Sequence, residues 1–205
     1  MTTYSQLGQD ISLLQFYNYK QNGFYIEIGA SDGITLSNTY LLEKDYNWKG
    51  ICVEPIPYNY DLLCKNRPNS LCCKNAIYSQ SNQHVIFDIS HECHLLSGIS
   101  NHIDCHKNTV DKSKTQIVVE TLSFNDLLEK YNAPTFIDYL SLDTEGSELE
   151  ILKSVDLQKY IFGVIDVEHN YIEPRRSQIK ELLTNNGYIY VRANGCDDSY
   201  KHSSI

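Results

Sequence analysis

An apolar segment that runs into a glycine turn, followed at a set distance by an acid, constrains this chain more than any other feature. Residues 24–28 read Phe-Tyr-Ile-Glu-Ile, and the turn extends from Gly29 to Gly33. Glu54 ends a second apolar segment about 20 residues further on, which is the usual spacing in βαβ units that bind nucleotides. In such units the acid accepts hydrogen bonds from ribose hydroxyls. The pattern therefore predicts a nucleotide site beyond the first strand.

Two further acids indicate which nucleotide this turn accepts. Glu27 comes just before the turn and Asp32 lies inside it, where a dinucleotide pyrophosphate requires bare backbone N–H groups and little negative charge. S-Adenosylmethionine has no phosphate, and it carries an ammonium group, a sulfonium and two ribose hydroxyls. A pocket edged with carboxylates suits this molecule, so we interpret the turn as a methyl-donor site. Its candidate cofactor ligands are Glu27, Gly29, Asp32, Gly33 and Glu54.

Length, charge and cysteine content narrow the class of protein. The chain has 205 residues, and at roughly 150 residues per domain we predict a single domain over 1–205. A net charge of −9 without a clustered basic patch argues against nucleic acid as a partner. No stretch of about 20 apolar residues occurs, so membrane insertion is not expected. The N-terminus lacks a basic and apolar signal, and the seven cysteines have no CxxC spacing, which favours a cytoplasmic protein with reduced thiols.

Apolar segments alternate with helical segments along most of the chain, which predicts an α/β fold with a mainly parallel sheet and helices on both faces. A lead-in helix that caps the pocket is expected within 1–22. Between the third and fourth strands, 85–87 and 117–119 are expected to pair as an inserted β-hairpin around a polar, histidine-rich loop at 88–115. The histidines and cysteines of this loop match no usual zinc spacing. The predicted strands of the main sheet are 24–28, 51–54, 71–76, 136–142, 161–167 and 188–191.

Ligands of such sheets bind beyond the carboxyl ends of the strands, and several polar residues follow strands directly. Asp143 follows the fourth strand, while Glu168 and His169 follow the fifth. At the end of a strand beside the first, the Asp143 carboxylate is expected to face the cofactor's sulfonium or a metal, so Asp143 is also a candidate cofactor contact. An alcohol needs a general base or a divalent cation to become a good nucleophile, and these three residues are candidates for either role. Asn75 and Ala76 end the third strand and are candidate neighbours of the adenine ring.

The acceptor side is less constrained by the sequence. We expect the loop at 88–115 to lie over the acceptor, with His94 as a candidate contact. Asn38 and Glu145 are the other candidate acceptor contacts.

The chain resembles the FkbM-type S-adenosylmethionine-dependent methyltransferases over nearly its full length. This resemblance implies a class I, Rossmann-like methyltransferase fold and O-methylation of sugars or of hydroxyls on polyketide-type products. Related sugar O-methyltransferases hold a divalent metal with strand-end acids, which makes Asp143 and Glu168 candidate ligands of Mg²⁺ or Mn²⁺. The segments that carry the resemblance are 5–10, 24–33, 37–39, 42–43, 54–55, 75–76, 138–152 and 167–169.

The resemblance also implies roles and one open question. It places Glu27, Gly29, Asp32 and Glu54 at the cofactor, and Asp143, Glu168 and His169 at the reaction centre. The family has a final antiparallel strand, whereas this chain stops soon after 197–200. Either that strand is abbreviated here or the chain is a domain cut from a longer protein.

The function expected from these patterns is methyl transfer from S-adenosylmethionine to a hydroxyl of a carbohydrate or another small molecule. One alternative is a nicotinamide-dependent oxidoreductase, which predicts NAD binding. Another is a non-catalytic binding module, whose cofactor affinity would not change when Asp143 or His169 is replaced. The acceptor, the metal requirement and the oligomeric state are open at this point.

Overall fold

A computed structural model of the protein describes residues 2–205. Eleven strands and seven α-helices lie in this range. The strands are β1 (Phe24–Ile28), β2 (Lys49–Val53), β3 (Leu71–Cys73), β4 (Ala76–Tyr78), β5 (His84–Ser90), β6 (Gly98–Ile99), β7 (Lys114–Ser123), β8 (Phe136–Leu142), β9 (Ile161–Glu168), β10 (Tyr188–Asn194) and β11 (Asp197–His202). The helices are α1 (Gln9–Phe16), α2 (Tyr40–Tyr46), α3 (Pro57–Asn66), α4 (Lys107–Val110), α5 (Phe124–Lys130), α6 (Glu148–Lys153) and α7 (Arg175–Asn185).

The main sheet has seven strands in the order β10-β11-β9-β8-β1-β2-β3. The neighbours from β9 to β3 are all parallel, and β11 runs antiparallel between β9 and β10. Because β1 lies between β2 and β8, the chain order reverses direction beside it, and a crevice forms at the carboxyl ends of these strands. The predicted parallel α/β sheet is confirmed.

Helices cover both faces of this sheet, as the sequence predicts. One buried cluster joins the sheet to α5, α6 and α7 through Leu127, Leu152 and Leu183. The other joins it to α1, α2 and α3, and includes Leu14 and Leu42. Ser123 caps α5 by accepting a hydrogen bond from the Asp126 backbone N–H at 3.1 Å, as its position predicts. None of the helices within residues 2–205 is long and apolar enough to cross a membrane.

A final antiparallel strand, β11, is present beyond the last strand that the sequence predicts at 188–191. A two-residue turn joins β10 to β11, with Gly195 at φ 62°. The pattern of apolar residues did not reveal β11 because three of its four buried positions carry short polar side chains. Each of these three has a hydrogen-bond partner: Asp197 accepts from Gln9, Asp198 accepts from Arg176, and Ser199 donates to Asp166.

The insertion is also larger than the predicted hairpin. The predicted pair does form, with Val85 opposite Val119 and Phe87 opposite Ile117 in antiparallel register. However, the predicted third strand at 71–76 ends at Cys73, and its last residue, Ala76, begins β4, which pairs with β7. Together with the short β6, these strands form a second sheet in the order β4-β7-β5-β6. Part of the predicted loop at 88–115 is therefore strand and short helix.

Candidate functional site

A cavity of about 400 Å³ opens at the carboxyl ends of β1, β2, β8 and β9. The main sheet lines it with Gly29, Glu54, Asp143 and Glu168, each directly after a strand or at its last position. The second sheet and the segment between β5 and β7 form the opposite wall. That wall includes Phe87, His94, Ile99 and His106, while Gln6 and Gln9 line the cavity from the N-terminal segment.

Gly29 permits the close approach of the glycine turn to β8. It has φ 95°, and a Cβ built on it would lie only 1.8 Å from the carbonyl oxygen of Asp143. The backbone N–H groups of Gly29 and Ala30 donate to the Val53 carbonyl at 3.1 and 2.9 Å. A side chain at position 29 would therefore separate the ends of β1 and β8, where the cavity begins.

Two residues predicted to bind the cofactor, Asp32 and Gly33, stabilise the turn and do not line the cavity. The Asp32 carboxylate accepts hydrogen bonds from the backbone N–H groups of Ile34 and Thr35 at 2.9 and 2.7 Å. Gly33 has φ 82°, and its carbonyl accepts from the buried Arg67 at 3.1 Å. Both residues shape the loop after β1 rather than the cavity wall.

Glu27 is buried and also lies outside the cavity lining. Its carboxylate accepts from the Ser37 and Thr39 hydroxyls at 3.0 and 2.7 Å and from the Asn38 backbone N–H at 2.8 Å. Arg67 Nη1 lies 3.3 Å from Glu27 Oε2. The structure thus places Glu27 as an anchor for the loop after the turn, and its charge is balanced by a cation that the sequence pattern did not reveal.

Glu54 lies where the βαβ pattern predicts a ribose-binding acid. It is buried, lines the cavity, and accepts the Ile56 backbone N–H on Oε1 at 2.7 Å. Burial raises the pKa of this carboxyl to about 7. Asn75 turns away and donates to Glu120, whereas Ala76 lines the cavity. Next to Ala76 is an apolar wall that suits a flat heteroaromatic ring, formed by Ile56, Ile77, Phe87 and Ile99.

Three carboxylates meet at the other end of the cavity. Asp143, Glu145 and Glu168 each have an oxygen within 4.8 Å of the others, and Glu168 forms a second such group with Cys196 and Asp197. Burial, reinforced by neighbouring acids, raises the pKa of Asp143 to about 7 and that of Glu145 to about 9. The pKa of Glu168 is raised well above its usual range for the same reasons. Such a group favours a bound positive charge, since like charges this close cannot all ionise without one.

His169 does not join this group. It is buried outside the cavity lining, and its Nδ1 accepts the Tyr171 backbone N–H at 2.9 Å. Its Nε2 lies 3.5 Å from Asp198, a carboxylate that also binds Arg176. Burial lowers the pKa of this imidazole. The structure therefore brings together Asp143 and Glu168 of the predicted reaction centre, but not His169.

The cavity contains polar residues that the sequence pattern missed or assigned only loosely. His106 Nε2 lies 3.8 Å from Glu145 Oε2, and Asn170 Nδ2 lies 3.4 Å from the same oxygen. Glu145 has φ 60°, an uncommon conformation for a residue other than glycine. His94 and Asn38, predicted as acceptor contacts, both line the cavity. A histidine-rich loop was the only signal for His106, and it did not distinguish this histidine from its neighbours.

A family model described as the methyltransferase FkbM domain matches residues 27–190. The chain belongs to the FkbM methyltransferase family. The family assignment and the fold together identify the chain as an S-adenosylmethionine-dependent methyltransferase. They argue against the alternative hypothesis of a nicotinamide-dependent oxidoreductase. A search of curated proteins finds no match to this FkbM methyltransferase.

Solved structures share the fold of this FkbM methyltransferase at low sequence identity. Precorrin-6y C5,15-methyltransferase from Geobacter metallireducens is 12% identical, with a TM-score of 0.50 over 93% of this chain and 84% of its own. The METTL16 methyltransferase domain is 11% identical, with a TM-score of 0.55 over 99% and 70%. The human methyltransferase 10 domain containing protein is 11% identical, with a TM-score of 0.50 over 99% and 84%. These similarities establish the class I methyltransferase fold, as the sequence predicts.

The cavity fits the methyl donor expected for an FkbM methyltransferase. Glu54 is a buried carboxylate beside an apolar wall, as ribose and adenine require. The three carboxylates at the far end suit an ammonium group and a sulfonium. Oxygen atoms at this separation also suit Mg²⁺ or Mn²⁺, so the divalent cation stays a prediction.

Proposed function

We propose that this FkbM methyltransferase methylates a hydroxyl of a small-molecule acceptor, with a sugar hydroxyl as the first candidate. The observation that carries the proposal is the position of His106, which reaches the cavity from the inserted segment and faces Glu145. A base is required because a hydroxyl that keeps its proton is a poor nucleophile. When bound, S-adenosylmethionine supplies an electrophilic methyl group on a sulfonium.

We assign different parts of the bound donor to different residues along the cavity. Glu54 accepts the ribose hydroxyls, and the apolar wall beside Ala76 holds the adenine. Asp143 and Glu168 stabilise positive charge near the sulfur end. His106 would accept the proton of the acceptor hydroxyl, so that this oxygen can receive the methyl group that a bound donor would supply.

His106 suits the role of base better than His169. One ring nitrogen of His106 lies 3.8 Å from the Glu145 carboxyl, which can orient the ring. The other nitrogen has no hydrogen-bond partner in the described part of the chain, and we assign it the acceptor proton. His169, by contrast, is held by Tyr171 and Asp198 on the far side of the strand ends.

The acceptor is proposed to be small and uncharged or cationic, rather than a nucleic acid. Neither lysine nor arginine lines the cavity, and the chain carries a net charge of −9. A phosphate backbone would find no cation there to replace its counterions. Hydroxyl-bearing sugars need neutral hydrogen-bonding groups instead, which Asn38, His94 and Asn170 offer at the cavity wall.

Titration calorimetry with S-adenosylhomocysteine, followed by a turnover assay on a panel of hydroxylated sugars, tests this proposal. We expect binding by the unaltered protein, weaker binding by Glu54→Ala, and methylation of at least one sugar. Binding of NAD in place of S-adenosylhomocysteine would refute the cofactor assignment. Methylation of amines or nucleic acid, with no hydroxyl acceptor, would refute the acceptor class.

Chelation separates the two uses of the acidic group. If Asp143, Glu145 and Glu168 serve the methyl donor alone, EDTA leaves turnover unchanged. Loss of turnover in EDTA, with recovery on addition of Mg²⁺ or Mn²⁺, would instead assign these carboxylates to a metal.

A further inference from the structure

Arg175 lies outside the cavity lining, and its guanidinium contacts three separate segments of the chain. It is the first residue of α7, and its side chain is 13% exposed. Nη1 donates to the Asp104 carboxylate and also to the Gly146 carbonyl at 3.1 Å. Nη2 donates to the His169 carbonyl at 3.4 Å. One side chain therefore joins the segment between β5 and β7 to the loops that follow β8 and β9.

The residues that Arg175 contacts adjoin three polar residues of the cavity wall. Glu145 precedes Gly146, Asn170 follows His169, and His106 comes two residues after Asp104. We call His106, Glu145 and Asn170 the Glu145 group, because the other two lie 3.8 and 3.4 Å from Glu145 Oε2. Arg175 thus holds the chain beside every member of the Glu145 group.

The loop after β8 packs directly against the segment between β5 and β7. Gly146 has φ 130°, and a Cβ built on it would lie 2.0 Å from the His102 carbonyl oxygen and 3.2 Å from Arg175 Nη1. Only glycine permits this approach without displacing one of the two segments. The backbone beside Glu145 is therefore in contact with the same segment that carries His106.

The position of His106 depends on that of Asp104. The Asp104 carbonyl accepts the Lys107 backbone N–H at 3.0 Å, which closes the turn that leads into α4. His106 lies inside this turn, directly before the first residue of α4. A shift of Asp104 away from Arg175 would therefore move His106 relative to Glu145.

Opposite charges hold Arg175 in place between Asp104 and Glu148. Its Nε lies 3.6 Å from Glu148 Oε2, and both atoms are buried without a hydrogen-bond partner among residues 2–205. Oε1 of Glu148 accepts the backbone N–H groups of Thr144 and Gly146 at 3.0 and 2.9 Å. Glu148 thereby fixes both the loop after β8 and the cation beside it. The planar fork of arginine can bind two carboxylates at once in a way that lysine cannot.

We propose that Arg175 is a positioning residue that assembles the Glu145 group, and that it acts on the base through Asp104. This inference rests on the proposed function, in which His106 accepts the proton of the acceptor. A displacement of about 1 Å at a reacting group can cost about 10²-fold in rate. Loss of the Arg175 contacts should therefore lower turnover and leave cofactor binding at Glu54 unchanged.

Nuclear magnetic resonance of isotope-labelled histidine rings tests the assembly without an acceptor. The His106 signal is identified by its loss in His106→Asn. Glu145→Asn shortens the side chain and tolerates φ 60°, and it should shift the His106 signal because it removes their contact. In Arg175→Met this shift should largely disappear, since the two residues are then no longer held together.

Turnover and titration calorimetry give a second readout. On the first sugar that the panel identifies, Arg175→Met should lower kcat about 10- to 100-fold, with unchanged affinity for S-adenosylhomocysteine. In a His106→Asn background the same substitution should have little further effect, because the base through which it acts is gone.

Two more variants separate this role from a loss of folding. If Arg175→Met does not fold, Asp104→Ala replaces it with the same expected results, because it leaves Arg175 beside Glu148. Lys107→Met is the matched control, since it removes an exposed ion pair with Asp111 in the same segment. It should change neither kcat nor the response of the His106 signal to Glu145→Asn.

An undiminished response of the His106 signal in both Arg175→Met and Asp104→Ala would overturn the inference. An equal loss of kcat from Arg175→Met with and without His106 would also overturn it, because it would indicate a general distortion. Failure of the proposed function has a different signature. In that case no sugar is methylated, or His106→Asn keeps full kcat, while the His106 signal still decides whether Arg175 assembles the Glu145 group.

Discussion

Replacing Arg67 with methionine should severely destabilise this protein, although Arg67 does not itself line the cavity. The guanidinium is fully buried between two carboxylates, with Nε 2.6 Å from Glu43 Oε2 and Nη1 3.3 Å from Glu27 Oε2. Its other N–H groups donate to the Tyr25 and Thr39 hydroxyls at 2.6 and 2.8 Å. Methionine fills a similar space, so the loss is mainly that of charge and hydrogen bonds.

The loss in free energy of unfolding follows from the buried carboxylates that remain when Arg67 is removed. Removing one partner of a buried ion pair costs about 3–5 kcal/mol, because the other charge stays buried and uncompensated. Here two carboxylates remain, so we expect Arg67→Met to lose at least about 3–5 kcal/mol. A domain is stable by only about 5–15 kcal/mol in total, so we expect a measurable fraction of the Arg67→Met molecules to be unfolded at 37 °C. Glu27→Gln should cost less, about 1–3 kcal/mol, because Arg67 keeps Glu43.

Urea denaturation followed by circular dichroism at pH 7 measures these differences. The double variant Arg67→Met with Glu27→Gln should be more stable than Arg67→Met alone, since it removes one of the two stranded carboxylates. A loss below about 1 kcal/mol in Arg67→Met would refute the view that this ion-pair group holds the loop after β1. So would strict additivity in the double variant, because contacting residues are expected to couple.

Three further predictions concern the cavity. His106→Asn should lower kcat by about 10²- to 10⁴-fold with little change in S-adenosylhomocysteine affinity. If His169→Asn lowers kcat as much and His106→Asn does not, His169 is the base instead. The raised pKa of Asp143, about 7 in the fold, lies above its unfolded value, so the ligand-free protein should lose stability as pH rises from about 4 to 7. Melting temperatures should show this decline, and Asp143→Asn should flatten it; an unaltered slope would contradict the assignment. Affinity for S-adenosylhomocysteine should rise as Glu54 ionises around pH 7, and Glu54→Gln should abolish that step in calorimetry. A step that persists in Glu54→Gln would contradict the assignment to Glu54.

The parallel sheet and its glycine turn could be predicted because their signals are local. Strands buried on both faces are continuously apolar, and the turn at Gly29 needs a residue that accepts φ 95°. The place of Glu54 in the cavity wall follows from its position directly after β2. Each of these features depends on residues close together in the chain.

Other features could not be predicted from the sequence because they depend on partner residues that are distant along the chain. The polar strand β11 is buried only because Gln9, Arg176 and Asp166 supply its hydrogen bonds. Ala76 leaves the main sheet because β7, more than 30 residues later, pairs with it. A pattern of apolar residues contains no information about such partners.

The acids and histidines of the site show the same difference between what the sequence predicts and what the tertiary structure decides. The sequence by itself determined that carboxylates gather at the strand ends of a parallel sheet, because strand order and direction place those ends at one edge. Only the tertiary structure decided which of them face the cavity. Glu27 lies beside the turn in sequence but is bound by Arg67, while His106 lies far from it and reaches the cavity. Side-chain direction and charge balance depend on what packs against each residue, and that is a property of the folded chain.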